Sequence, residues 1–157
     1  MSRTSPPRRV RGRGYERTLK KETKKRKAAG LWTDKQADTE FSFHIRKRDG
    51  KCMFPGCTKT ERLQNSHFIG RKHSATRYDP ENCITLCYTH HYGDKLLGFE
   101  YQKQEKEKHG YDGQYTLFMK RHLGPKRYKA LIERGKTSVK RSTEIMHLMI
   151  FLESLKT

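Results

Sequence analysis

Hydrophobic positions are sparse in this chain, and the first group of them predicts a short helix. Phe41 and Ile45 are four residues apart, a spacing that places both side chains on one face of a helix. Phe41, Phe43 and Ile45 also alternate as they would in a strand. We favour the helix, because polar residues follow and lead into a turn at Asp49-Gly50.

The second half of the chain predicts a series of helices separated by glycines, which stop helices readily. The predicted segments cover residues 99–108, 114–123 and 125–134, followed by a last helix capped by Ser138 or Ser142. The last helix has an apolar face made of Ile145, Leu148, Met149, Leu152 and Leu155.

Composition and charge indicate a small core with basic extensions and a polyanionic partner. Of the 157 residues, 36 are Lys or Arg and 17 are Asp or Glu, giving a net charge of +19. Hydrophobic residues make up 32% of the chain, well below the usual share in a globular protein. A chain this cationic repels itself unless a polyanion neutralises it, and nucleic acid is the first candidate.

The N-terminal segment carries much of this charge. Residues 1–14 contain two prolines and two glycines among five arginines, a composition that predicts disorder. Residues 15–29 are almost wholly polar and predict either a solvated or DNA-ordered helix or a continuation of the disordered tail. We expect the basic residues here to contact the DNA backbone, namely Arg8, Arg9, Arg11, Arg13, Lys24, Lys25, Arg26 and Lys27.

Several other classes of protein are not expected. The longest apolar stretch runs from residue 145 to residue 152 and is too short to span a bilayer. No apolar segment follows the basic N-terminus, so we expect no secretory signal and a cytoplasmic protein. Four cysteines in such a protein favour a metal site over disulfides.

The cysteine spacing predicts a structural zinc site. Cys52 and Cys57 bracket Pro55-Gly56, as in one half of a zinc knuckle, and Cys87 and His90 have the spacing of a second half. Zinc bound by these four residues would add folding energy that a small core lacks. Cys83 remains open as an alternative fourth ligand in place of His90, or as a buried thiol.

Between these two pairs lie residues that resemble the HNH endonuclease family. His67 is followed by Asn82 and then by His91, in the order and spacing of zinc-containing HNH nucleases. The stretch from His67 to His91, with Arg77-Tyr78-Asp79, is similar to phage HNH proteins of the NinG/Rap recombination type. The resemblance covers residues 40–157, and its specific motifs lie in 52–95.

The resemblance implies a ββα-metal fold and a role for each residue. One strand would end at His67, a second would cover residues 84–86, and a helix would run from about residue 88 to residue 97. His67 would be the general base, Asn82 would hold the loop and orient His67, and His91 would bind a catalytic Mg²⁺ or Mn²⁺. A satisfied core histidine is the competing interpretation of His67.

The second ligand of that catalytic cation is open. Many family members carry Asp or His immediately before the general base, where this chain has Ser66. Asp94 and His73 are the candidates that we favour. Arg71, Lys72 and His73 are expected to contact phosphate, and Arg77 is either a phosphate clamp or the partner of Asp79.

The sequence therefore predicts an α+β protein built on a zinc-stabilised ββα-metal core, with a basic N-terminal extension and C-terminal α-helices. The predicted parts are a DNA-binding extension (1–40), a nuclease core (41–98) and a helical region (99–157). We expect a metal-dependent DNA endonuclease acting on Holliday junctions and D-loops in phage recombination, in a bacterial host cytoplasm and with a homodimer as one possible state. The alternatives are a non-catalytic zinc-stabilised DNA-binding protein and a homing-type HNH nuclease on linear duplex.

Overall fold

A computed structural model of the chain describes residues 13–93 and 113–156. These ranges contain helices and a two-stranded sheet, so the protein is α+β as predicted. The predicted helix over 99–108 and the arginines before residue 12 lie outside the described residues. The main elements are α1 (Arg13–Ala28), α2 (Asp34–Asp49), β1 (Leu63–His67), β2 (Cys83–Cys87), α3 (Gln114–Gly135) and α4 (Arg141–Ser154).

Helix α2 confirms the predicted helix face and extends it toward the N-terminus. Thr33 caps the helix, and its hydroxyl and Gln36 form a capping box, which explains a start at Asp34. Gly50 ends the helix in the left-handed conformation, with φ of 66°. The predicted boundary between residues 40 and 41 thus falls inside one helix. The buried face consists of Ala37, Phe41 and Ile45.

Strands β1 and β2 form an antiparallel pair in which His67 lies opposite Cys83. The strand positions agree with those that the family resemblance implies. All five residues of β2 are buried, because each face of this strand is covered by helices. Cys83 packs with residues of α2 and α4, whereas Ile84 and Leu86 pack with residues of α3.

Helix α3 consists of two segments that meet at Gly124, as the glycine and the following Pro125 predict. Gly124 has φ of 74°, a conformation that interrupts the helix and suits glycine. Tyr115, Met119 and Leu131 from both sides of this break are buried against the sheet. The C-terminal segment therefore belongs to the same core as the cysteine-rich segment.

Helix α4 packs on α2 through Ile145 and Leu148, which share a buried cluster with Phe41 and Ile45. Two details of the predicted helix are wrong. Its N-cap is Lys140 with no side-chain cap, so neither candidate serine caps it. Leu155 follows the end of the helix and is exposed, so it does not belong to the buried face.

Across the described part of the chain, no helix combines the length and the apolar character that crossing a membrane requires.

Candidate active site and metal centre

Cys52, Cys57, Cys87 and His90 come together in one cluster, with their ligand atoms all within 4.8 Å of one another. Nδ1 of His90 lies 3.4 Å from Sγ of Cys52 and 3.3 Å from Sγ of Cys87. Tetrahedral zinc, with its usual bond lengths to sulfur and nitrogen, would place such pairs about 3.5 Å apart. The cluster thus has the composition and size of a structural zinc site.

Local backbone geometry builds this cluster from two short segments. Pro55-Gly56 forms a tight turn, closed by a hydrogen bond of 3.0 Å from the Cys57 amide to the Phe54 carbonyl. Gly56 has φ of 78°, as the third position of a type II turn requires. The backbone amide of Cys52 donates a 2.8 Å hydrogen bond to the carbonyl of Lys59. Both thiols of the first pair are therefore held in place by backbone contacts.

The second segment orients His90. Cys87 ends β2, and residues Thr89–Gly93 form a π-helical turn that carries His90 toward the cysteines. The ring of Phe54 stacks on His90, with centroids 3.9 Å apart and planes 5° from parallel. Burial raises the pKa of Cys52 to about 11, so its thiolate needs a nearby cation. Zinc would supply that cation.

Cys83 does not belong to this cluster. Its side chain is fully buried among apolar residues of α2 and α4, and burial raises its thiol pKa well above the usual value. The alternative in which Cys83 replaces His90 as a ligand does not fit the structure. The physical reason is strand geometry: Cys83 sits at the opposite end of β2 from Cys87, paired with His67 rather than with the metal cluster.

A cleft of about 700 Å³ lies beside the π-helical turn, apart from the cysteine cluster, and is lined by two further histidines of interest. His67 at the end of β1 and His91 in the turn both line it, together with residues of α2. The neighbouring residues His90 and His91 therefore lie in different places, His90 in the cysteine cluster and His91 in the cleft. Among the described lining residues, the cations Lys35, Arg46 and Arg71 outnumber the single carboxylate, Asp38.

The position of His67 fixes which nitrogen carries its proton. Nε2 of His67 lies 2.9 Å from the backbone carbonyl of Arg77. A carbonyl only accepts, so Nε2 donates and the lone pair of the neutral ring is on Nδ1. Burial lowers the pKa of His67 to about 4. The contact with the Arg77 carbonyl opposes this shift, and the positive charges of Arg71 and Arg77 add to it. The imidazole is therefore neutral at physiological pH.

His91 has the complementary tautomer. Its Nδ1 lies 2.7 Å from Oε1 of Gln64, an amide oxygen that only accepts. Nδ1 therefore donates in the neutral ring, and Nε2 carries the lone pair that a metal ion would use. Gln64 is a site residue that the sequence analysis missed. Its partner is 27 positions away, and no local pattern signals the pairing.

Asn82 closes the loop between the two strands. Its side chain is fully buried, donates to the carbonyls of Ile69 and Thr76 at 2.9 and 2.8 Å, and accepts from the Ile69 amide at 2.7 Å. Its own carbonyl accepts from the amide of Phe68, the residue after His67. Asn82 therefore holds the loop, as the family resemblance implies, and it acts on His67 through the backbone.

The residues considered as second ligands of a catalytic cation do not gather around His91. Ser66 points to the opposite face of β1, where its hydroxyl is 3.0 Å from that of Tyr115. His73 binds the carbonyl of Gly135 through Nδ1 at 3.1 Å and is absent from the cleft lining, so it is not placed to share a cation with His91. Its contact with phosphate stays a prediction. Asp94 lies outside the described residues.

Arg77 has a structural role that corrects both sequence-based expectations. Its guanidinium forms two hydrogen bonds with Asp38 of α2, at 3.0 Å from Nε and 2.6 Å from Nη2. It therefore neither pairs with Asp79 nor presents an open cation to phosphate; Asp79 pairs with Arg134. Arg71 differs, because its side chain is 61% exposed and 4.0 Å from Asp38. Lys72 is also exposed.

The basic residues of α1 also include both a buried, ion-paired residue and exposed ones. Arg26 is buried and donates to Asp34 at 2.6 Å, so it joins α1 to α2 and is not a surface DNA contact as predicted. Lys24, Lys25 and Lys27 are exposed, and their contact with DNA stays a prediction. The sequence does not separate these four neighbours, because the partner of Arg26 lies beyond the end of the helix. The side chain of Arg13 is outside the described set.

Comparisons of this chain with protein-family models, with curated proteins and with solved structures find no match.

Proposed function

We propose that this protein is a metal-dependent endonuclease that hydrolyses phosphodiester bonds of DNA. The observation that carries the proposal is the convergence of His67 and His91 in one cationic cleft, with opposite tautomers. A neutral imidazole with its lone pair on Nδ1 suits a general base, and one with its lone pair on Nε2 suits a metal ligand.

In this mechanism His67 accepts a proton at Nδ1 from the water that attacks phosphorus. The carbonyl of Arg77 holds the ring while the charge develops. His91 would hold Mg²⁺ or Mn²⁺ through Nε2, and the bound cation supplies positive charge beside the phosphate oxygens. Lys35, Arg46 and Arg71 line the same cleft and would neutralise flanking phosphates.

The zinc cluster has a separate, structural part in the proposal. It joins the start of the cysteine-rich segment to the π-helical turn, and that turn carries His91. Zinc would therefore hold the cleft together without entering the reaction. The charge of +19 and the exposed lysines of α1 favour DNA as the substrate and supply affinity without sequence preference.

Branched recombination intermediates are the substrate class that the resemblance to phage HNH proteins favours. The experiment compares cleavage of a labelled four-way junction with a linear duplex of equal length, using zinc-loaded protein and added Mg²⁺ or Mn²⁺. Faster junction cleavage supports this assignment. Equal rates contradict it, and cuts at discrete positions on linear duplex would indicate a homing-type enzyme instead.

A non-catalytic zinc-stabilised DNA-binding protein is the second candidate. The observation that favours it is the partner of His91, which is the neutral amide of Gln64 instead of a carboxylate. A neutral amide partner on Nδ1 raises the basicity of the imidazole less than a carboxylate would, which makes Nε2 of His91 a weaker ligand for the cation. Zinc-loaded protein that binds plasmid DNA yet never nicks it with Mg²⁺ or Mn²⁺ would establish this candidate and remove the endonuclease.

A further inference from the structure

We propose that Tyr88 and Tyr92 form a stacking platform for unpaired bases beside the cleft. The endonuclease would then act on a strand whose nucleotides are unpaired next to the scissile phosphate. The effect on cleavage rests on the proposed function. The binding of unpaired bases does not, and it is measured separately.

The two tyrosines lie at either end of the segment that carries His91. Tyr88 is 57% exposed and follows β2, and Tyr92 is 56% exposed within the π-helical turn. The ring of Tyr92 lies against His91, with centroids 3.8 Å apart. More than half of each side chain is exposed beside a proposed catalytic residue, which is enough surface for contact with a ligand.

Each tyrosine lines a depression, and the two depressions are adjacent. Tyr92 lines the cleft that contains His67 and His91. Tyr88 lines a second groove, of about 900 Å³, formed by the segment before β1 and the end of β2. Leu63 and Gln64 line both, so the groove adjoins the cleft at the start of β1 and lies within reach of a strand that leaves the cleft there.

The charges along this path suit a sugar-phosphate backbone. The groove contributes Lys59 and Arg62 against Glu61, and the cleft contributes its own excess of cations. A basic path with aromatic rings at intervals is the arrangement that binds single-stranded nucleic acid. An apolar peptide, by comparison, would leave these cations without partners.

The exposed rings favour unpaired bases as the ligand, because only unpaired bases present their faces for stacking. In a duplex the base faces are covered by neighbouring base pairs, so a protein contacts phosphates and groove edges. Bases that are splayed out expose their faces, and each face stacked on an aromatic ring adds affinity whatever the base. Tyrosine suits a half-wet position of this kind because its ring is apolar and its hydroxyl remains hydrated.

The test measures DNA binding by zinc-loaded protein without added Mg²⁺, so that no cleavage occurs. The probes are a fluorescent single-stranded oligothymidylate and a duplex of the same length, followed by anisotropy. The variants are Tyr88→Ala, Tyr92→Ala and the matching Phe variants. Phe43→Ala is the control, since Phe43 is 58% exposed on α2 and lines neither depression.

Each Tyr→Ala variant is expected to weaken single-strand binding by about tenfold or more, the usual effect of losing one stacked base. Duplex binding, the Phe variants and Phe43→Ala should remain within about twofold of wild type. Unchanged single-strand binding in both alanine variants would overturn the proposal. Equal losses on both probes, or Phe variants as weak as the alanine variants, would overturn it as well.

This outcome is independent of the proposed function. Tyrosine-dependent single-strand binding by a protein that never nicks DNA would leave the platform intact and remove the endonuclease. Nicking activity with no effect of the tyrosine variants on binding would support the endonuclease and remove the platform.

Discussion

Asp38 fixes the position of Arg77, and through it the tautomer of His67. The carboxylate of Asp38 accepts hydrogen bonds from Nε and Nη2 of Arg77, while the backbone carbonyl of Arg77 accepts from Nε2 of His67. Helix α2, which precedes the cysteine-rich segment, therefore positions the residue proposed as general base. Tyr78 reinforces the contact by donating to the same carboxylate at 3.0 Å.

Replacing Asp38 with Asn should lower the nicking rate by about 10- to 100-fold, the usual effect of losing a group that orients a catalytic histidine. The substitution keeps the shape of the side chain and removes the charge that holds Arg77. Zinc content and DNA affinity should change little, and nitrogen NMR shifts of His67 should report a mixed tautomer. Glu133→Gln, at an exposed ion pair with Lys136, is the control. A full nicking rate in Asp38→Asn would contradict this account.

Purified protein should contain about one tightly held zinc, and the Cys52→Ser/Cys57→Ser double variant should lose it together with cooperative unfolding. The reason is that both thiols belong to the four-residue cluster. Metal analysis combined with thermal unfolding measures the two effects. His90→Ala should also bind zinc more weakly, because Cys83 lies outside the cluster and cannot replace the lost ligand.

The matched control is Cys83→Ala. It should keep the zinc and lose only about 1 kcal/mol of stability, the typical effect of removing one buried heavy atom from a core. Loss of zinc in Cys83→Ala, or normal zinc in His90→Ala, would show that Cys83 is the fourth ligand.

Acid should destabilise the wild type more than His67→Gln. Burial lowers the pKa of His67 from 6.5 to about 4, so between these values the unfolded chain binds a proton that the folded chain does not. The free energy of unfolding therefore falls as pH decreases from 6.5 toward 4, by up to about 3 kcal/mol from this residue. Urea unfolding of both proteins across this range measures the difference.

Two features of that experiment keep it specific. Glu144 acts in the opposite direction, since burial raises its pKa to about 7 and its contribution falls as pH rises, but it is present in both proteins. His147→Gln, at an exposed position, is the control and should follow the wild type. Equal acid losses in wild type and His67→Gln would mean that His67 is not buried as described.

Removing two exposed lysines from α1 should weaken DNA binding and make the affinity less dependent on salt concentration. Lys24→Ala/Lys25→Ala removes two proposed phosphate contacts, so the slope of log affinity against log salt should fall by about 2. Lys136→Ala/Lys156→Ala removes the same charge at residues already paired with Glu133 and Glu153, and should leave the slope nearly unchanged. Equal changes in the two variants would show that α1 has no special place in DNA binding.

The sequence predicts the metal centre well because its information is local. Cys52 and Cys57 flank a Pro-Gly turn, and Cys87 and His90 flank the end of a strand, so spacing alone identifies both halves. The break at Gly124 and the apolar face of α2 can likewise be predicted from residues close together in the sequence. The separation of His90 from His91 into two sites follows from the family resemblance and agrees with the geometry.

The contacts that build the cleft depend on distant parts of the chain and have no local signal. Asp38 meets Arg77 across 39 positions, and Gln64 meets His91 across 27. Arg26 and Arg77 look like DNA-binding cations in the sequence, because only the folded chain brings a carboxylate to each of them. Burial, which decides whether a basic residue serves the fold or the substrate, is a property of the whole structure.

The most direct measurement of the central claim is nicking of supercoiled plasmid by zinc-loaded wild type, His67→Ala and His147→Ala in the presence of Mg²⁺ or Mn²⁺. The account predicts nicking by wild type and His147→Ala, and a loss of at least about 100-fold in His67→Ala with zinc content and DNA binding retained. Nicking by His67→Ala at the wild-type rate, or none by any of the three proteins, would contradict it.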